Sequence, residues 1–513
     1  MNKFKHIFTA LLLVLPLVLA GFTGASAKAA ESSNDTAYIR LHKLAFESDK
    51  DLPSLPGSDD LLGQELTGDQ LQGGKPLNGV EFTAYDVTKG YGELKGSSTE
   101  RQTIIRDNAA QYATDGAVVG DPQTTKGEGT ADFALPVKST IETGKYAVYL
   151  IRETKSTTAE LNGNQSVVKA ADPIVLIMPL NKTSTKDDPL HIYPKNQTKK
   201  AIVKDLADLD KLDLVTDKND SSVKDAILGY GDETTYTVSV VVPTDVTSLD
   251  QFVLTDTPDP GLNINTGSLL VSDDSGQNVP GWTMKPQLSQ TGDSMGFKLS
   301  FDKAQLAPFA GKTITLTYKA TVNKKLIPGA ILNNHITLNG QDPVKANTPI
   351  TTGGAKFEKT ASDTGDGLKG AQFLVTSKGD NKYLVDTGKG YEWVDLPTGF
   401  DAANYNPDDL DKGAVVLTSG DDGNFSVEGL TFGEYALTEV KAPEGYALLT
   451  EPQAFTVNAA SYDDENRVKI ENAVEGVLPH TGGMGIYLII LIGVVIIIAG
   501  LLLFKRNKRH EEI

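Results

Sequence analysis

The sequence predicts an all-β protein built from three tandem immunoglobulin-like β-sandwich domains. Short segments alternate apolar and polar side chains and are rich in β-branched and aromatic residues, as at 234–242, 312–320 and 433–440. Glycine, proline, aspartate and asparagine separate these segments, which is typical of antiparallel sheets with one face on a core and the other in water. The chain has 513 residues, enough for three ordinary domains between its two apolar ends.

The amino end predicts a secretory signal peptide over residues 1–27. Lys3 and Lys5 precede an apolar run, and small residues follow it. Cleavage fits after Ala27 and nearly as well after Ala29. The chain is therefore expected to be exported, and this segment takes no part in the fold.

The carboxyl end combines three features in a fixed order. Residues 478–482 read Leu-Pro-His-Thr-Gly, residues 486–504 form an apolar run, and residues 505–513 are largely basic. The run is long enough to cross a bilayer as a helix, and the basic tail should remain cytoplasmic.

Shifts in composition suggest where the domains meet. The polar stretch 196–200 is expected to be a hinge, and residues 346–354 a second linker. The predicted domains are 28–198, 199–350 and 351–476.

Helix is expected to be sparse. Candidates are residues 99–112 and short pieces near 206–214. Two insertions rich in glycine, proline and aspartate, 49–75 and 115–130, are predicted to be loops.

Composition excludes several functions. The formal charge is −19, and the chain has no basic cluster once the carboxyl-terminal tail is removed, which argues against nucleic-acid binding. There is no cysteine, so thiolate metal sites and cysteine catalysis are excluded. The six histidines are scattered without the spacing of a zinc enzyme, and no hydrolase motif is present. We therefore expect no metal site, no cofactor and no activity of a zinc enzyme or a hydrolase.

Each predicted domain places three polar side chains on the apolar face of its strands. Residues two apart in a strand share a face. A lysine in the first strand, an acid in a central strand and an asparagine in the last strand all point the same way as core residues. An uncompensated buried charge costs several kcal/mol, so the pattern needs a reason. The groups are Lys43, Glu153 and Asn196; Lys204, Asp256 and Asn334, with Asn333 as an alternative; and Lys359, Glu439 and Asn472.

These motifs resemble those of a known family. The first and third domains share an opening strand that contains a lysine and a later strand that ends in Glu153 or Glu439, like the B-type repeats of collagen adhesins and pilins. The middle domain resembles their A-type module. The 478–482 pentapeptide is similar to an LPxTG sorting signal, and 193–196 (Tyr-Pro-Lys-Asn) resembles the pilin motif. Over nearly its whole length the chain resembles a major (backbone) pilin of Gram-positive sortase-assembled pili.

The resemblance implies internal isopeptide bonds between lysine Nζ and the asparagine side-chain carbonyl, formed without an enzyme. The pairs would be Lys43–Asn196, Lys204–Asn334 and Lys359–Asn472, promoted by Glu153, Asp256 and Glu439, respectively. Whether the first bond forms in the monomer is open. A cross-link that closes a loop of about 100 residues is worth about 4–5 kcal/mol in the chain-entropy model.

The resemblance also implies covalent assembly at the cell surface. A sortase would cut between Thr481 and Gly482 of the sorting signal (Leu478, Pro479, His480, Thr481 and Gly482), and Lys195 of another copy would accept the threonyl group. The implied partners are copies of the chain, pilus-assembling and housekeeping sortases, minor pilins and peptidoglycan, with a host mucus or matrix ligand also conceivable. The alternative is a minor pilin or a monomeric wall-anchored adhesin.

Overall fold

The computed structural model describes residues 35–47, 52, 63–156, 164–181, 183–207, 209–217, 220–288, 295–379 and 381–476. The predicted signal peptide, sorting signal, membrane helix and basic tail lie outside these residues. Within them, no helix is long and apolar enough to cross a membrane. We refer below to an N-terminal region (35–200), a middle region (202–345) and a C-terminal region (350–476).

The N-terminal region is built mainly of strands. They are β1 Thr36–His42, β2 Leu44–Glu47, β3 Lys75–Pro76, β4 Glu81–Asp86, β5 Gln123–Thr124, β6 Thr130–Pro136, β7 Val148–Lys155, β8 Gln165–Lys169, β9 Ile174–Ile177, β10 Leu190–Ile192 and β11 Lys195–Lys200. They form three sheets, ordered β10-β1-β6, β3-β2-β11-β8 and β5-β4-β7-β9. Strand β1 pairs in parallel with β10, and β2 in parallel with β11, so the start and the end of this region lie side by side.

Helix is confined to short elements. The helices are α1 Thr88–Glu93, α2 Ser98–Asp107, α3 Ala109–Tyr112 and α4 Lys303–Leu306, and 3₁₀ turns occur at Gly68–Leu71, Asp115–Ala117, Leu209–Lys211, Val246–Ser248, Ala307–Phe309, Ala402–Asn404, Pro407–Asp409 and Asp464–Asn466. Helix α2 begins at a reciprocal cap, in which Ser97 Oγ accepts from Glu100 N and Glu100 accepts from Ser97 N at 2.7 Å. The helix predicted at 99–112 is confirmed, as the two consecutive helices α2 and α3.

The middle region is a single wrapped sheet with short additions. Its strands are β12 Ile202–Leu206, β13 Leu214–Thr216, β14 Lys224–Ile227, β15 Glu233–Val241, β16 Val253–Pro258, β17 Leu262–Asp273, β18 Trp282–Leu288, β19 Met295–Phe301, β20 Thr313–Val322, β21 Asn334–Leu338 and β22 Val344–Lys345. The main sheet runs β12-β15-β20-β17-β19-β16-β21-β22, with β18 on β19. Asn347 N donates to Lys204 O at 3.0 Å, which brings the end of this sheet back to its beginning.

The C-terminal region contains two sheets. Its strands are β23 Ile350–Thr351, β24 Gly353–Ala361, β25 Gln372–Ser377, β26 Lys382–Asp386, β27 Tyr391–Asp395, β28 Val416–Thr418, β29 Asn424–Leu430, β30 Gly433–Lys441, β31 Gln453–Val457 and β32 Val468–Asn472. One sheet runs β29-β24-β32 and the other β27-β26-β25-β30-β31, with β28 on β25. Their facing sides bury an aromatic core that includes Phe357, Phe373 and Phe455.

The chain divides into two compact units. The first unit is Met1–Leu212, Glu233–Thr321 and Asn333–Pro349, and the second is Asp213–Asp232, Val322–Leu332 and Ile350–Ile513. Two stretches of the predicted middle domain therefore belong to the second unit, where β14 pairs in parallel with β23. The division into three domains stays a prediction.

Two local predictions are wrong. The expected hinge at 196–200 is strand β11, which pairs with β2 and β8 and buries Asn196 and Thr198. The expected helix near 206–214 is only the 3₁₀ turn Leu209–Lys211 between β12 and β13. In both places backbone pairing with a distant strand overrides a local preference suggested by polar or helix-forming residues.

Candidate functional site

The C-terminal region gathers its lysine, acid and asparagine in one buried cluster. Strand β24 pairs in parallel with β32, and β25 pairs with β30, so Lys359, Asn472 and Glu439 come from three strands that face the same core. Lys359 Nζ donates to Asn472 Oδ1 at 2.5 Å and to Ile470 O at 3.0 Å. Asn472 Nδ2 donates to both carboxylate oxygens of Glu439, at 3.0 and 3.1 Å. The amide thus lies between the amine and the acid.

Burial tunes both ionisable groups of this cluster. The Lys359 side chain is fully buried, and loss of hydration lowers its pKa to about 8, although Glu439 opposes the shift. Burial also raises the pKa of Glu439, against hydrogen bonds from Leu449 N and Asn472 that favour its charged form. Both shifts favour the neutral forms, a nucleophilic amine and a protonated acid.

The N-terminal region repeats this arrangement. Lys43 Nζ donates to Asn196 Oδ1 and lies 3.0 Å from Glu153 Oε2, while Asn196 Nδ2 donates to Glu153 Oε1 at 2.9 Å. Lys43 and Asn196 are both fully buried. Burial lowers the pKa of Lys43 to about 8.

A glycine fixes the backbone of the lysine in both regions. Lys43 N donates to Gly129 O and Lys359 N donates to Gly423 O, each at 2.8 Å. Both glycines have a positive φ, +72° and +79°, and a Cβ would lie 2.6 Å from Lys43 O or 2.3 Å from Lys359 O. A side chain at either glycine would displace the lysine strand, so these glycines belong to the site.

The middle region arranges its groups differently. Lys204 Nζ donates to Asp256 Oδ2 and, at 3.3 Å, to His335 O. Tyr318 OH donates to the same Asp256 oxygen at 2.5 Å and accepts from Asn334 Nδ2 at 3.4 Å. Asn334 Oδ1 is buried without a hydrogen-bond partner among the described residues. Burial lowers the pKa of Lys204 to about 8.

The structure distinguishes Asn333 from Asn334, the two asparagines that the sequence offered as the partner of Lys204. Asn334 is fully buried and contacts Tyr318, whereas Asn333 is half-buried and its backbone N donates to Asp259. This geometry favours Asn334 as the partner of Lys204.

Lys195 lies on the face of β11 opposite to the buried Asn196. In β11, Asn196 is fully buried and the flanking Lys195 and Gln197 are half-buried. Partial burial lowers the pKa of Lys195, and the nearby Asp172 opposes that shift. Thr481 and the rest of the sorting signal lie outside the described residues.

Sequence reasoning missed two features of these sites. Tyr318 lies in β20, where it reads as an ordinary core aromatic, and only the structure shows its hydroxyl between Asp256 and Asn334. His42 and His191 are far apart in sequence, yet the parallel pairing of β1 with β10 brings their rings within hydrogen-bonding distance. The signal available in sequence was that His42 immediately precedes Lys43.

Three family models match parts of the chain. Residues 34–197 match the N-terminal D1 domain of Gram-positive pilin subunits, residues 353–473 match the prealbumin-like fold domain named SpaA, and residues 470–512 match the LPXTG cell wall anchor motif. A comparison with curated protein sequences found no match.

Solved pilin structures resemble the chain at low sequence identity. The full-length RrgB pilus protein of Streptococcus pneumoniae matches at 18% identity, with 86% of this chain and 99% of that chain covered and a TM-score of 0.52. SpaD, a major pilin of Corynebacterium diphtheriae, is 17% identical, with 86% and 98% covered and a TM-score of 0.41. BcpA, the major pilin subunit of Bacillus cereus, is 16% identical, with 86% and 100% covered and a TM-score of 0.38. The RrgB match shows a common fold.

Strand-built domains and a wall anchor define a modular surface protein of the cell wall. The chain contains the N-terminal domain of Gram-positive pilin subunits together with the cell wall anchor motif, and these matches support a cell-wall-anchored subunit of a surface pilus. The predicted all-β fold and location are confirmed.

Proposed function

We propose that the chain is the backbone subunit of a covalent pilus, joined head to tail by sortase through Lys195 and Thr481 and stabilised by three internal isopeptide bonds. The observation that carries this proposal is the recurrence of a buried lysine, acid and asparagine in all three regions. Buried lysines are rare unless paired, and here each has a carboxylate and an amide as neighbours in the same core.

The geometry of the C-terminal cluster supports a route to its internal bond. The neutral amine of Lys359 attacks the side-chain carbonyl carbon of Asn472, and the Nδ2 group leaves as ammonia. Glu439 lies beside that leaving nitrogen, where a protonated acid can deliver a proton and then take one from the attacking amine. One C–N bond forms and one breaks, so the acid is regenerated and no cofactor is required. Apart from this self-catalysed step, the chain would be a substrate of sortase and not an enzyme itself.

The internal bonds suit a load-bearing shaft. In the N-terminal and C-terminal regions they would join the first strand of the region to its last, across 153 and 113 residues of chain. Tension applied at the two ends of such a region would pass through a covalent bond. The hydrogen bonds of the sheet would therefore not have to break under load.

The intermolecular bond would use the half-buried side of β11. Lys195 directly precedes the buried Asn196 and points to the opposite face, so one short strand would serve both linkages. Sortase would transfer the Thr481 acyl group to Lys195 of the next copy. Because the donor and the acceptor are different residues of each copy, the contact would be heterologous and would generate an open filament.

The test is the Lys195→Ala variant in cells that carry the assembling sortase. We expect high-molecular-weight ladders to disappear from wall extracts while monomer still reaches the wall. The matched control is Lys199→Ala, a half-buried lysine of the same strand and face, which should leave the ladders unchanged. Intact ladders in the Lys195 variant would contradict the acceptor assignment.

A further inference from the structure

A compact group of two histidines and a glutamate lies beside the buried Lys43. His42 ends β1, His191 lies in β10, and Glu65 comes from the stretch that runs past β10, where His191 N donates to Gly63 O at 3.2 Å. One potential ligand atom from each of the three side chains lies within 4.8 Å of the other two. The three residues are far apart in sequence, and the fold brings them together.

Neighbouring rings and the backbone hold the two imidazoles in place. His42 is buried and stacks on Tyr193 at 4.7 Å and on His191 at 5.0 Å between ring centroids. Tyr193 OH accepts from Leu66 N at 2.5 Å, so the residue after Glu65 is tied to the ring that supports His42. The two imidazoles, and the backbone next to Glu65, are therefore positioned by contacts that do not depend on a ligand.

We propose that His42, His191 and Glu65 form a binding site for one divalent transition-metal ion, with zinc the best match. Two imidazoles and one carboxylate, with a fourth position open to solvent on the side of the exposed Glu65, form a common zinc ligand set. The third group distinguishes this cluster from a simple hydrogen-bonded histidine pair. The site is independent of the proposed pilus linkages.

The required adjustment is small. His42 Nε2 and His191 Nδ1 are 2.7 Å apart and share a proton. Tetrahedral coordination at about 2.0–2.1 Å sets two ligand nitrogens about 3.3 Å apart, so the rings must separate by about 0.6 Å. The shared proton moves to the far nitrogen of its ring, which leaves both imidazoles neutral with free lone pairs.

The position suggests what a bound ion would do. It would tie the end of β1, strand β10 and the stretch around Glu65 together, immediately before Lys43 and within four residues of Lys195. Because the ion binds only the folded arrangement, it would stabilise the N-terminal region in proportion to its affinity and concentration.

Titration of purified full-length protein, without a histidine tag, with zinc and with cobalt(II) tests the site. We expect one ion per chain, a cobalt spectrum of a tetrahedral site and a higher melting temperature with zinc. Glu65→Gln should weaken binding at least about tenfold, since even supporting residues cost that much, and His191→Gln should abolish it.

The matched control is His335→Gln, a half-buried histidine 3.9 Å from Asp259 that belongs to no group of potential metal ligands among the described residues. It should bind zinc like the unmodified chain. The proposal is overturned if the unmodified chain shows no saturable binding, if His191→Gln binds normally, or if Glu65→Gln binds with unchanged affinity.

Discussion

The N-terminal and C-terminal regions present their lysine in the same way, whereas the middle region has its own solution. In the first two, a positive-φ glycine pairs with the lysine backbone, an early strand (β2 or β24) lies parallel to the last strand, and lysine Nζ contacts the asparagine oxygen directly. In the middle region Lys204 contacts Asp256 instead, and Tyr318 joins that acid to Asn334.

The difference indicates that the proposed lysine–asparagine bond formation would depend on shared burial of the three side chains and not on one strand topology. An aspartate is one methylene shorter than a glutamate, and the tyrosine hydroxyl fills the gap between Asp256 and the amide. The middle sheet brings its two ends together by wrapping, since Asn347 N donates to Lys204 O. Three buried polar atoms can thus be aligned by two different backbone arrangements.

The largest expected effect comes from removing an acid of the common arrangement. Glu439→Gln keeps a hydrogen-bonding group of the same size but removes the proton shuttle, so the Lys359–Asn472 bond should not form. The C-terminal region should then lose about 4–5 kcal/mol of stability, because the bond closes 113 residues. Calorimetric melting of the purified chain measures this loss.

The control for that variant lies on the same strand. Glu434→Gln removes an exposed ion pair with Lys378 at 2.8 Å, and surface pairs are worth less than about 1 kcal/mol. Equal melting temperatures for the two variants would show that no cross-link supports this region.

A second prediction concerns the pH dependence of an uncross-linked site. In Asn472→Ala, Lys359 keeps its amine, whose pKa is about 8 in the folded chain and 10.5 in the unfolded chain. The unfolded chain binds more protons between these values, so the free energy of unfolding should rise by about 2–3 kcal/mol as pH increases from 8 to 10.5.

The unmodified chain should lack this rise at the C-terminal region, because an amide nitrogen does not titrate there. Urea unfolding at a series of pH values compares the two proteins. The same slope in both would mean that Lys359 is a free amine in the unmodified chain.

Sequence predicted the fold class and the faces of the strands, but not the contacts between distant elements. The alternation of Phe357 with Lys359 and of Leu254 with Asp256 matches their burial. Sequence placed Asn196 in a last strand, but the extension of β11 to Lys200 was missed because these polar residues suggest a hinge, while the parallel partner β2 lies far away in the chain. The contact of His42 with His191 depends on another long-range pairing, that of β1 with β10, which no local pattern encodes.

The smallest expected effect separates the middle region from the other two. Tyr318→Phe removes the bridge and leaves Asp256 and Asn334 less well paired, at a cost of about 1–3 kcal/mol. We also expect slower formation of the Lys204–Asn334 bond, with the other two bonds unaffected. Peptide mass analysis after timed expression measures the fraction linked at each site.

The stacked neighbour provides the control for Tyr318. Tyr236 packs on Tyr318 at 5.8 Å, and its buried hydroxyl has no hydrogen-bond partner among the described residues. Tyr236→Phe should therefore leave bond formation unchanged and be neutral or slightly stabilising. A matching delay in both variants would assign the effect to packing and not to the bridge.

The central claim is that three buried lysines become amides without an enzyme, and the intact mass of the purified secreted chain tests it most directly. The account predicts a mass lower than that of the processed chain, calculated from its measured termini, by three ammonia molecules, with digestion yielding linked peptides that join Lys43 to Asn196, Lys204 to Asn334 and Lys359 to Asn472. A mass equal to that of the unmodified sequence, with all three lysines recovered as free amines, would contradict it.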